Sequence, residues 1–100
     1  MKDLSFGEAV IHVENGEMVA REGWNGKDMF IFTRPGDTLP VDFIEKVKSL
    51  PKKVKTFLMN RGKDVEFTEY LCMYTASGKI ANGWIPSQAD ILANDYYVVK

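Results

Sequence analysis

Apolar positions near the start of the chain, Phe6, Ala9, Val10 and Val13, recur at helical spacing. Ser5-Phe6-Gly7-Glu8 has the form of a capping box, in which the Ser5 hydroxyl accepts from the Glu8 amide and the Glu8 side chain reaches back. A helix is expected from Phe6, with Leu4 and Ala9 as a hydrophobic staple and Asn15-Gly16 as a left-handed stop. Val19 to Trp24 and Asp28 to Thr33 then read as strands, joined at Asn25-Gly26, a dipeptide suited to the positive φ angles of a tight hairpin turn. Met29-Phe30-Ile31-Phe32 is apolar on both faces, the pattern of a strand covered on both sides, and a subunit interface is one source of the second cover. Turn chemistry at Arg34-Pro35-Gly36-Asp37 ends it.

The pattern changes between residues 38 and 68. Phe43, Ile44, Val47 and Leu50 return to helical spacing, Pro51 breaks it, and Val54, Phe57 and Leu58 resume it before Arg61-Gly62, which predicts two short helices. Strand patterning returns from Glu69 to Thr75, turns at Ser77-Gly78 and pairs back from Lys79 to Trp84. Ser87-Gln88-Ala89-Asp90 is a second N-cap signature, opening a turn or two of helix, and Tyr96 to Val99 reads as the closing strand. The expected fold class is α+β, an antiparallel sheet with an N-terminal helix and short helices in a central insert, built as a single domain over residues 1–100.

With 100 residues the chain has room for one core, and a domain of this size gains from the extra burial of an oligomer. A net charge of -1 sets up no field that would draw the molecule to nucleic acid or an anionic membrane, so no DNA, RNA or membrane partner is expected. The charge is unevenly spread. Seven of the 13 basic residues (Lys46, Lys48, Lys52, Lys53, Lys55, Arg61 and Lys63) lie between positions 40 and 64, against three acids there, which makes 38–68 a basic insert. The single cysteine, Cys72, sits in an apolar run and reads as a buried thiol of a reducing compartment. No apolar stretch approaches the roughly 18 residues of a membrane span and the N-terminus has no signal-peptide core, so the expected location is the cytoplasm.

Recognisable catalytic chemistry is absent. His12 has no cysteine or second histidine near it, so neither a metal site nor a cofactor is expected. Pairing of Cys72 with His12 as nucleophile and base would join a strand core to a helix 60 residues earlier, and an inert thiol with a surface imidazole is the simpler reading. There is no glycine-rich phosphate loop, nucleophile elbow or paired-carboxylate signature, and no catalytic residue is assigned.

Two segments carry binding chemistry. In Arg21-Glu22-Gly23-Trp24-Asn25-Gly26-Lys27 the indole of Trp24 can stack on a base, Arg21 can pair with phosphate and the Asn25 amide can bond a base edge; a turn whose tryptophan caps the core is the plainer reading. In Asn82-Gly83-Trp84-Ile85-Pro86-Ser87-Gln88-Ala89-Asp90, Trp84 precedes a capped helix start able to receive an anion. Ser87 and Asp90 ordinarily cap the helix itself at that spacing, whereas Gln88 has no such structural duty.

In combination, Arg-x-Gly-Trp-Asn-Gly near the start and Trp-x-Pro-Ser-Gln-x-Asp followed by Leu-Ala-x-Asp near the end resemble the second Thoeris anti-defence family of phages. The resemblance covers roughly residues 5–34 and 74–99 and leaves the segment between them unmatched. It implies a homo-oligomer, tetrameric in known members, working in the cytoplasm of an infected bacterium. It further implies a sponge that binds glycocyclic ADP-ribose signals and holds them uncleaved, some relatives also holding cyclic oligonucleotides. Ligand contacts would then fall to Arg21, Trp24, Asn25, Trp84, Ser87, Gln88 and Asp90. Two departures stand out: residues 38–68 look longer and more basic than in shorter members, and Tyr96 stands where a tryptophan is usual. The competing readings are a small nucleotide-processing enzyme using Asp90 or Asp95 as base, and an adaptor whose tryptophans lie in a protein interface.

Overall fold

A computed structural model describes residues 1–26 and 28–100. The elements run α1 (Phe6–Glu14), β1 (Met18–Arg21), β2 (Phe30–Arg34), β3 (Asp37–Leu39), a 3₁₀ helix (Val41–Lys46), α2 (Lys52–Arg61), β4 (Val65–Phe67), β5 (Tyr70–Tyr74), β6 (Ile80–Asn82), α3 (Gln88–Leu92) and β7 (Tyr96–Val99). The fold is α+β, as the patterning predicts. The backbone resolves into two units, one made of Met1–Arg34 with Tyr70–Lys100, the other of Pro35–Glu69.

In the first unit five strands form an antiparallel sheet in the order β6-β5-β2-β1-β7. Strand side chains alternate between faces, so the register places Met73, Ile31, Val19 and Val98 in one row across the sheet. Helix α1 lies on that face: Ala9 and Val13 are fully buried and join Leu4, Val19, Ile31, Met73 and Tyr96 in one core. The capping box forms as read, with Ser5 Oγ accepting from Glu8 N (3.2 Å) and Glu8 Oε1 accepting from Ser5 N (2.9 Å). Leu4 and Ala9 are both buried, as a staple requires, and Gly16 takes φ 89° just past the helix end. Cys72 is fully buried, and His12 is half-buried with its Nδ1 against the Glu17 carboxylate.

The first hairpin departs from expectation. β1 stops at Arg21 and not at Trp24, and β2 starts at Phe30, so residues 22–29 replace the tight Asn25-Gly26 turn; Lys27 lies outside the described residues. The cause is a long-range anchor, because Glu22 N donates to Asp95 O (3.1 Å) while Trp24 N turns back to Arg21 O (3.3 Å). β6 is likewise shorter than expected and ends before Gly83, whose φ of 73° breaks the extended run ahead of Trp84.

In the second unit the two expected helices are present, the first as a 3₁₀ turn around fully buried Ile44 and the second ended by Gly62 at φ 67°. Asp64 Oδ1 accepts from Val41 N (2.9 Å), and Lys55 Nζ donates to Glu45 O (2.9 Å). A small sheet unexpected from the sequence pairs β3 with β4 in the register Asp37↔Phe67, Thr38↔Glu66, Leu39↔Val65. Among the described residues no helix is long and apolar enough to cross a membrane.

Candidate functional site

Helix α3 is too short to persist on its own propensity, and its capping box holds it. Ser87 Oγ accepts from Asp90 N (3.1 Å), and Asp90 Oδ2 accepts from Ser87 N (3.0 Å) and from Ser87 Oγ (3.0 Å). The other carboxylate oxygen faces the first motif: Asp90 Oδ1 accepts from Arg21 Nη1 (2.7 Å) and from Trp24 Nε1 (3.1 Å). Asp95 completes the group, Oδ1 accepting from Arg21 Nε (2.8 Å) and Oδ2 from Gly23 N (2.8 Å). A Cβ at position 23 would lie 2.9 Å from Asp95 Oδ2 and 3.0 Å from Arg21 Nη2, so a side chain there would press on this ion pair.

Three aromatic rings pack over this polar group. Trp24 meets Trp84 edge to face at 6.0 Å and Tyr96 at 6.2 Å, and the Arg21 guanidinium lies 5.8 Å from the Tyr96 ring centre. Trp84 is anchored to the sheet by its amide, which donates to Leu71 O (2.8 Å). Tyr96 is fully buried and its hydroxyl donates to Asp90 O (2.6 Å), a role for the hydroxyl that a tryptophan at this position could not fill in the same way. Tyr96→Phe is expected to lower stability by about 1–2 kcal/mol by leaving that carbonyl without its donor, as read from urea unfolding; an unchanged midpoint would show that water replaces the hydroxyl.

The electrostatics follow from these contacts. Burial pushes the Asp90 carboxyl up, but hydrogen bonds from Ser87, Trp24 and Arg21 together outweigh it and hold its pKa at about 2. The Arg21 hydrogen bond takes Asp95 below the ordinary carboxylate range, and Asp95 in turn raises Arg21. Burial, reinforced by the Asp90 charge, lifts the Tyr96 phenol to about 12. One guanidinium therefore faces two ionised carboxylates, leaving the cluster with a net charge of -1.

The structure thus brings together five of the seven residues singled out in the sequence, Arg21, Trp24, Trp84, Ser87 and Asp90. Asn25 and Gln88 sit beside them on the chain with exposed side chains. Two members were not read as ligand-site residues: Asp95, which the sequence suggested only as a base in the enzyme reading, and Tyr96. A usable signal for Asp95 was present, since Arg21 stands in an otherwise apolar strand and needs a carboxylate partner.

Comparison with known proteins bears on the whole chain. Residues 4–99 match the model of the Tad2-like family, the Thoeris anti-defense 2-like domain. The protein "Thoeris anti-defense 2" of Bacillus phage SP01 is 35% identical over 100 residues, covering 97% of this chain and 96% of the relative. Both matches extend across residues 38–68, the segment that the two motifs leave unmatched. From residue 4 to residue 99, the chain belongs to the Thoeris anti-defense 2-like family.

Proposed function

We propose that this protein counters a bacterial defence system by binding a cyclic nucleotide signal of the glycocyclic ADP-ribose class and holding it uncleaved. Family membership supports the anti-defence role. The observation that carries the binding role is the tryptophan pair. Two half-buried indoles from opposite ends of the chain meet edge to face, with the exposed amides of Asn25 and Gln88 next to them in sequence. Such a set stacks on a base and bonds its edge or the ribose. Arg21, committed to Asp90 and Asp95, serves this reading by fixing the Trp24 loop, while Ser87 fixes α3.

Sequestration without cleavage fits the carboxylates. A group held at about 2 by four donors is a poor general base near neutral pH, which argues against Asp90 in the enzyme reading. Ile85 at 84% and Leu92 at 76% exposure supply apolar surface for self-association, in keeping with a homo-oligomer, and a soluble protein of this kind would act in the cytoplasm of the infected cell. A stoichiometric sponge must bind tightly, because each copy removes only the signal it holds.

The test is calorimetric titration with glycocyclic ADP-ribose, followed by heat release and chromatography. Saturable binding and recovery of intact signal are expected. Recovery of an altered product would replace the sponge with an enzyme, and an absence of heat with the adaptor reading.

A further inference from the structure

The run from Lys46 to Lys63 holds seven basic residues and no acid, so all 14 acidic residues lie elsewhere in the chain. The overall charge of -1, which by itself predicts no membrane partner, conceals this segregation. Helix α2, inside the run, works against its own electrostatics. Pro51 gives it no side-chain cap, its first turn has no acid, and Lys52 and Lys53 stand at the positive end of its dipole. Lys55 has a structural duty, donating to Glu45 O, but the fold calls for neither Lys52 nor Lys53, both exposed. Helical spacing gathers Lys53, Val54, Phe57, Asn60 and Arg61 into one outward arc, and all five are exposed, Phe57 at 60%. The Arg61 guanidinium lies 5.7 Å from the Phe57 ring centre, and Lys46 Nζ lies 5.5 Å from that of Phe43, a second exposed ring.

We propose that this face of α2 docks on an anionic lipid surface, lying in the headgroup layer without crossing it. Phe57 and Val54 dip towards the acyl chains, while Lys53 and Arg61 lay their stems beside them and reach the phosphates with their charged ends. Each cation near such a surface adds to the attraction, and the acid-free run places several on one short segment. An acidic protein fits less well. Side chains that protrude from a convex helix need preformed pockets in a rigid partner, whereas lipid closes around them.

Sedimentation of the full chain with vesicles tests this, using phosphatidylcholine alone and phosphatidylcholine with about one third phosphatidylglycerol. Binding to the anionic vesicles is expected to be at least about tenfold tighter than to the neutral ones, and to fall away as sodium chloride rises from about 0.1 M to about 0.5 M. Lys52→Glu combined with Lys53→Glu is expected to weaken it by about a hundredfold. Those changes put acids in the first turn of α2, where they stabilise the helix, so unfolding does not account for the loss. Phe57→Ala is expected to weaken binding about tenfold with the circular dichroism unchanged, since the ring is exposed. Equal affinity for neutral and anionic vesicles overturns the proposal, as does undiminished binding in either variant. Failure to sediment with anionic vesicles also overturns it, and retention of the parent protein but not the double variant on immobilised polyglutamate would then assign the face to an acidic protein. A change of assembly mass in the double variant with vesicle binding unaltered would make it a contact between copies instead.

Discussion

Asp90→Ala is expected to lower stability by about 3 kcal/mol, the largest loss from any single polar side chain of the first unit. One carboxylate closes the capping box of α3, pairs with Arg21 and accepts from the Trp24 indole, and its side chain is 13% exposed. Its removal opens the helix start and leaves two donors facing apolar rings. For a chain of this length such a loss lowers the melting temperature by roughly 12–20 °C, readable by calorimetry. Asp90→Asn, which keeps one acceptor but no charge, should fall between the two. Asp95→Ala should be milder because that carboxylate is 30% exposed. A loss below about 1 kcal/mol in Asp90→Ala would mean that solvent screens the network.

The same contacts set an acid limit. Asp90 has a lower pKa folded (about 2) than its ordinary 3.8, so its contribution is complete above pH 3.8 and fades as pH falls towards 2. The stability at stake is on the order of 1–2 kcal/mol once partial exposure is allowed for. Asp95, lowered in the same direction, adds to the loss in that window. In Asp90→Asn the slope of stability against pH below 4 should flatten.

Trp24→Ala is expected to weaken glycocyclic ADP-ribose by about a hundredfold, the largest effect on binding of any single change. Stacking accounts for part of this, and the rest comes from the loop, which loses its contacts with Trp84, Tyr96 and Asp90 together. Trp24→Phe, which keeps a smaller ring and removes the bond to Asp90, is expected to fall between Trp24→Ala and the parent protein. Asn25→Ala and Gln88→Ala should each weaken the ligand by about tenfold with no change in melting temperature, since both side chains are exposed. Equal affinity in Trp24→Ala and the parent protein would remove the indole from the binding site.

What could be read in the sequence was local. Both capping boxes and the glycine that ends α2 involve residues within a few positions of one another, and each formed as read. The first hairpin was misread because its cause lies more than seventy positions away, where Asp95 takes hold of Gly23 and Glu22. The β3–β4 pair escaped notice since three-residue strands such as Asp37-Thr38-Leu39 are too short to show an alternation. The two binding motifs were visible as residue types, yet their division of labour was not. Whether an arginine meets a phosphate or a carboxylate depends on what the fold brings opposite it, and here that is Asp90 and Asp95.

The strand order has one more consequence, for how copies of this protein can join. Strand β7 ends the sheet on one side, and Met1–Leu4 lies along it: Leu4 and Tyr96 exchange two backbone bonds, and Val98 N donates to Met1 O (3.0 Å). The row of amides and carbonyls that would template another chain is thereby partly occupied. The opposite margin is β6, three residues long and cut off at Gly83. Neither border of the five-stranded sheet offers a long open run for strand-by-strand growth, so self-association through this sheet is expected to use its side-chain faces.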